Sequence, residues 1–377
     1  MRVVAAALAA LVLAVSAAYA QIAISANDGK AVLVDGVNTV PANPEPDNVT
    51  IIKLAKGAPR VLGEVQVPTS VIGPPESVAI APDSSYALVT AATKIDPKDA
   101  SKTVPCNLVS VLDLKSFKVI QTLEAGLGAS GVSINRAGTL ALVAGRADDT
   151  VSIFTIADKK LTAAGTISFD AKSGPSLAVF TPDGTKALLT RDGDSKISVL
   201  TVDGARVVYT GYDISAGLHP YSIKMSRKGD IAIAANMAVG GRDNGSLSVI
   251  DLKSAFPHVV NTANVAPSPE GLALSADGRY VAASSLNGSN FVPGAPGFHD
   301  FGLVQVFKRD GFKLKQVASE RTGHWCEGAA WSANHRTLLV QCMVEKEIQV
   351  FSFDGKKLKR SGAIPVHGGP AGISVAD

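Results

Sequence analysis

The feature that most constrains this chain is a motif that returns seven times. Its clearest copy is Ser268-Pro269-Glu270-Gly271-Leu272-Ala273-Leu274-Ser275-Ala276-Asp277-Gly278-Arg279-Tyr280-Val281-Ala282-Ala283-Ser284. It contains a Pro-bearing turn, a short alternating strand, an Asp-Gly turn and a second apolar strand. Asp-Gly between two such runs is hairpin chemistry, because glycine takes a positive φ without a Cβ clash. Related turns centre on Asp83-Ser84, Ala137-Gly138, Asp183-Gly184, Lys228-Gly229 and Asn334-His335, with the first copy placed at Asp28-Gly29. The copies lie 45 to 57 residues apart. A unit of that length cannot bury a core alone, so the copies must stack or close on one another.

Each copy continues into a second pair of β-rich runs, such as Asn107–Lys115 and Lys118–Leu123. The third-strand pattern recurs at Thr150–Ile156, Lys196–Val202, Ser246–Leu252, Leu303–Lys308 and Glu347–Phe353. Four short strands per copy, with no helical periodicity between them, predict an all-β chain. The architecture is a seven-bladed β-propeller of four-stranded antiparallel blades. Gly369–Asp377 matches only the first strand of the motif, and Asn27–Asp35 only its turn and second strand. Pairing of the N- and C-terminal segments then closes the ring and removes two open sheet edges. Ile22–Ala26 also resembles a first strand, so two segments compete for that place.

Residues 1–20 have the form of a secretory leader. Arg2 is the positive end, Val3–Val15 the apolar run and Ala18-Tyr19-Ala20 the cleavage site. No charged stop follows, so cleavage is preferred over an anchor. One propeller domain over 21–377 is then exported to the periplasm or the exterior, with no membrane attachment. The formal charge is +3 and Lys and Arg are scattered, without the basic stripe that a nucleic-acid partner requires. Of three cysteines, Cys326 and Cys342 face each other across the last hairpin. A disulfide and a pair of buried thiols both fit, and Cys106 is left over.

On a propeller, the connections between blades and those after second strands share one face, and function belongs on such loops. Aligning the motifs puts Glu76, Ser130, Ser176, Tyr221, Glu270 and Glu327, with Ala371 from the closing strand, at the channel mouth on that face. Three crowded carboxylates repel, which raises a pKa or recruits a cation. His219, His324 and His367 stand shortly before ring positions. Glu76, Glu270, Glu327 and these histidines are therefore candidate ligands of a divalent metal ion. The alternative is that turns of this kind are polar anyway, and no short His-x-x-x-His spacing decides between them. Long segments at Ala92–Cys106, Leu286–Phe301, Met237–Gly245 and Gly36–Asp47 crown the same face. A fourth histidine, His299, lies with Asp300 in the second of these segments. His219, Tyr221, His299, Asp300, His324 and Trp325 are the predicted ligand contacts. Arg146, Arg191 and Arg242 follow second strands, and each has an Asp within a few residues, which favours local ion pairs over substrate binding. Gly-x-Ser-x-Gly, phosphate-binding glycine loops and Cys-x-x-Cys-His are absent. A serine hydrolase of that type and attached haem are thereby disfavoured.

The repeats resemble the YVTN-type seven-bladed propeller family. The carrying segments are Pro269–Val281, Gly174–Lys186 and Ser246–Lys253. That resemblance implies kinship with lactonases acting on sugar lactones, the heavy subunits of periplasmic amine dehydrogenases and surface-layer proteins. Cys326-Glu327-Gly328-Ala329-Ala330-Trp331 is also similar to the Glu-Gly-Pro-x-Trp opening of metal-dependent gluconolactonase-type propellers, with Ala329 in place of the Pro. This second likeness implies Glu327 as a metal ligand. Two functions follow. The first is an exported module that binds a small molecule or a periplasmic protein through its loop-rich face, accessory to a redox or catabolic system. The alternative is a lactone hydrolase built on Glu76, Glu270 and Glu327 as catalytic carboxylates, with nearby histidines around a divalent metal.

Overall fold

The computed structural model describes residues 21–54, 58–239 and 242–376, and every regular element among them is a β-strand. The leader assigned to residues 1–20 lies outside the described residues. Seven four-stranded antiparallel sheets form the blades. Six are built from consecutive strands, beginning at Val78, Ala129, Pro175, Pro220, Pro269 and Cys326 and here called blades 2 to 7. Blade 1 is composite: Gly369–Val375 is its innermost strand, followed outward by Gln21–Asp28, Asn48–Leu54 and Arg60–Gln66.

That register settles the competition at the ends and corrects the first turn. Gln21–Asp28 is a second strand, so Asp28-Gly29 ends it and is no hairpin turn between first and second strands. The chain there makes a small two-stranded excursion, Val32–Val34 against Val37–Thr39, turning at Asp35-Gly36. The segment 92–106 is likewise no loop. Its β-formers extend blade 2 into a long hairpin, with Thr93 opposite Pro105 and Ile95 opposite Thr103.

Alternating apolar residues on the two faces of each sheet build seven clusters, one in each gap between neighbouring blades. The cluster that joins blades 7 and 1 unites Ala23, Ile52, Leu339, Ile348 and Ile373. Ring closure therefore has hydrophobic support as well as strand pairing. In all seven blades a register shift interrupts the two outermost strands, which adds the twist a radial blade needs.

Cys326 and Cys342 form a cross-strand disulfide in blade 7, and Cys106 is buried and unpaired. The bond closes a segment with a sequence separation of 16 residues. Its removal as Cys326→Ser/Cys342→Ser is expected to cost about 3 kcal/mol from the freed unfolded chain. Calorimetry should read this as a Tm lower by several degrees.

Candidate functional site

The mouth of the channel on the loop-rich face is built by one repeated backbone device. In blades 3 to 7 the two inner strands slip register at their start, between Ala129/Val132, Pro175/Leu177, Pro220/Ile223, Pro269/Gly271 and Cys326/Ala329. Ser130, Ser176, Tyr221, Glu270 and Glu327 occupy those bulges, and bulges re-aim side chains. Two residues earlier the backbone is left-handed: Gly128, Gly174, His219, Ser268 and Trp325 all have φ between 46° and 72°.

Glu270 of blade 6 and Glu327 of blade 7 meet there. A Cβ on Gly271 would overlap the Glu327 carbonyl oxygen, so the close approach of the two inner strands requires glycine at that position. Glu327 is 1% exposed and Glu270 9%. Burial raises both pKa values, Glu270 to about 7, and the two carboxyls act on one another. Their mutual repulsion raises Glu327 further, while Arg146 draws Glu270 down. Two like charges this close in a dry site share a proton. The buried Oε2 of Glu327 has no hydrogen-bond partner.

Arg146 completes the group. Its guanidinium lies 5.3 Å from the Tyr221 ring centre and grips Asp192 of blade 4 through both oxygens, at 2.6 Å and 2.5 Å. Ser176 Oγ bridges the pair, 2.9 Å from Arg146 and donating to Asp192 at 3.0 Å. Burial works against the charge of Arg146, yet Asp192 and Glu270 hold it firmly protonated. Burial, together with Glu270 and Glu327, pushes the Tyr221 phenol well above its ordinary value.

Of the remaining expected site residues, Trp325 joins this group through a side-chain hydrogen bond to Glu327, and the others do not. Glu76 sits within the channel, where Lys224 from blade 5 reaches its Oε1 at 3.1 Å and Ser222 donates to its Oε2 at 3.0 Å. Burial still leaves its pKa raised. His219 uses Nδ1 on the Asp192 carbonyl oxygen, and His367 lies on the outside against Glu64. His324 is held between Asp300 and Glu345; burial disfavours its charge, but the two carboxylates prevail and raise its pKa. His299 bonds the Asn287 carbonyl oxygen and serves to shape its own loop.

A Glu/His metal centre is therefore not assembled at the mouth. Among the described residues, the gathered set of three potential donors is Cys326, Cys342 and Glu345, and its two sulfurs are bonded to each other. Around Glu327 stand a second carboxyl, an arginine and aromatic rings, which suit a proton better than a cation. The ion implied by the gluconolactonase-type motif does not fit this donor set.

Two insertions cover the mouth. The tip of the blade 1 excursion touches the blade 6 loop, since a Cβ on Gly36 (φ 75°) would overlap the Phe291–Val292 backbone. The blade 6 loop is tied to blade 7 by Asp300 to His324 and by the Trp325 amide, which donates to Ser289 Oγ at 3.0 Å. Of the three arginines, Arg191 pairs locally with Asp194 as expected. Arg146 instead reaches the next blade, and nothing in its local sequence signalled that partner.

Residues 128–295 match the family model described as lactonase, 7-bladed beta-propeller, a stretch that holds Arg146, Asp192, Tyr221 and Glu270. No curated protein matches the chain. Among solved structures, a putative 6-phosphogluconolactonase from Bacteroides fragilis is 18% identical, with a TM-score of 0.72 over 96% of this chain and 99% of that one. The periplasmic gluconolactonase of Pseudomonas aeruginosa is 17% identical, with a TM-score of 0.67 over 95% and 99%. Hydrazine synthase of Kuenenia stuttgartiensis is also 17% identical, with a TM-score of 0.62 over 81% and 90%. At such identities the likeness establishes the fold alone. Among the described residues no helix is long and apolar enough to cross a membrane. The repeats and the closed ring make this chain a seven-bladed β-propeller, similar over residues 128–295 to the seven-bladed lactonase propellers.

Proposed function

We propose that the protein opens lactones without a metal, using Glu270 and Glu327 as an acid–base dyad. The observation that carries this reading is the meeting of two buried carboxyls from neighbouring blades beside Arg146. A Glu whose pKa stands at about 7 is half ionised at neutral pH, which is where a general base works best. In the proposed reaction Glu270 takes a proton from water as the water oxygen bonds to the lactone carbonyl carbon. Arg146 steadies the negative oxygen that develops there. The ring C–O bond then breaks, and protonated Glu327 gives its proton to the leaving oxygen. The product is a hydroxy acid, and proton exchange within the dyad restores the start. The lid must lift to admit substrate, since Glu327 is covered.

Proton release from glucono-lactones tests the reading. Glu270→Gln is expected to lower kcat by about 10²- to 10³-fold with an unchanged circular dichroism spectrum, and a chelator should leave the rate intact. Full activity in Glu270→Gln, or activity abolished by the chelator, overturns it.

A second reading keeps the loop-rich face as a docking surface for a protein partner of an exported chain. Large aliphatic side chains project from the loops of that face, among them Val34, Val37, Leu218, Val239 and Val292, each about half exposed. Shortening 290–298 should abolish partner capture and leave lactone opening in place if docking is the function.

A further inference from the structure

The opposite end of the channel is open. On the hairpin-turn face two adjoining lobes, of about 550 Å³ and about 210 Å³, share Lys224, Met225, Arg227, Ser374 and Val375 in their walls. Together they draw on the inner strands of all seven blades or the turns that follow, from Ala79 and Ser133 through Val179 and Ser275 to Ser332. The Glu76–Lys224 ion pair lies at this cavity, and because it joins blade 2 to blade 5 it spans the channel.

The charges of this funnel are unbalanced. Its lining holds the acid Glu76 and the cations Arg136, Lys224 and Arg227. Arg227 has an engagement of its own, so the case rests on the other two. The Lys224 side chain is 30% exposed, lines both lobes, and has a single ion-pair partner among the described residues. An ammonium carries three donors, and one carboxylate does not exhaust them. Arg136 is exposed on the wall opened by blade 3 and offers a planar fork suited to a carboxylate or phosphate. A concave, low-dielectric wall concentrates the potential of such cations on whatever enters.

We propose that this funnel is a ligand site, separate from the Glu270–Glu327 dyad, for a small anion bearing one carboxylate or phosphate group. Lys224 holds the anionic group from the floor and Arg136 closes on it from the rim. The hydroxyls of Ser133, on the inner strand of blade 3, and of Thr181, just after the inner strand of blade 4, are occupied by the Ala178 carbonyl oxygen and by Asp183. Recognition is therefore chiefly by charge.

Isothermal titration of the full chain with gluconate and with inorganic phosphate tests the proposal, with sorbitol as the uncharged polyol of similar size. At least one anion should bind with a Kd below about 1 mM while sorbitol does not. Gluconate alone identifies a carboxylate site, and phosphate alone a phosphate site. Arg136→Gln is expected to weaken binding several-fold and Lys224→Met by about tenfold or more. Because Lys224→Met strands Glu76, the Lys224→Met/Glu76→Gln double variant repeats the measurement with a neutral floor. Failure of both anions to bind overturns the proposal. So does affinity that survives in both cation variants, or affinity lost in Glu327→Gln, which would place the anion at the other mouth.

Discussion

Replacing Glu327 with glutamine is expected to stabilise the protein at neutral and alkaline pH and to flatten its stability profile. Burial holds Glu270 and Glu327 above the ordinary value of 4.5, Glu270 at about 7 despite the lowering effects of a hydrogen bond with Glu327 and of Arg146, and the facing Glu270 raises Glu327 further. The unfolded chain therefore binds fewer protons than the native one between those limits. Stability contributed by the protonated pair is present below about pH 4.5 and is lost as pH rises through 7. A displacement of that size is worth about 3 kcal/mol, and glutamine keeps the shape without the second charge. Arg146, Asp192, Tyr221 and Asp28 face the pair and stay in the variant, so a residual slope from Glu76 and Asp28, both also raised by burial, remains. Urea unfolding at pH 5 and pH 8 measures the difference. A variant less stable than the parent at pH 8 contradicts the charge repulsion inferred here.

Removing Arg146 should act in the other direction. The Arg146 side chain is 29% exposed and that of Asp192 11%, with two short bonds between them. Arg146→Ala leaves Asp192 buried against Ser176 with no cation, a loss of about 3 to 5 kcal/mol for a pair that is mostly out of water. It also withdraws the charge that lowers the Glu270 pKa, so the Glu270 titration should move upward. Arg146→Ala/Asp192→Ala should recover much of the stability but none of the lactone opening, which separates the structural from the chemical part. Recovery of both would make Arg146 a strut only.

The blade count and ring closure were legible because hairpin turns are written locally. Asp183-Gly184 and Asp277-Gly278 announce a turn whatever surrounds them. The first blade misled for the same reason. Asp28-Gly29 has hairpin spelling, but Gln21–Asp28 was already committed between Gly369–Val375 and Asn48–Leu54, and Gly29 serves an outward excursion. Alignment on turns also found the positions of Glu270 and Glu327, because their place in the motif is local.

Partners across blades were not legible. Asp148 and Asp149 stand closer to Arg146 in sequence than Asp192 does, yet Asp148 binds the Leu127 amide and Asp149 the 172–174 turn. With those acids occupied, the guanidinium is left to the neighbouring blade. The histidines show the converse. His219, His324 and His367 are close to the ring in sequence, but a left-handed residue and a bulge in the backbone turn them toward Asp192, Glu345 and Glu64. Proximity along the chain was a poor guide where the strand reverses its facing within three residues. The open funnel on the turn face gave no signal either, since Lys224 and Arg136 belong to different blades and share no motif.

The central claim is a proton held between Glu270 and Glu327 at neutral pH, and infrared spectroscopy observes it directly. The carbonyl stretch of protonated carboxylic acids, recorded at pH 7 as the difference between wild type and Glu327→Gln, should show a band of the wild type that fades as pH is raised. If wild type and variant have the same protonated-carboxyl intensity at pH 7, both groups are ionised, and the dyad does not exist.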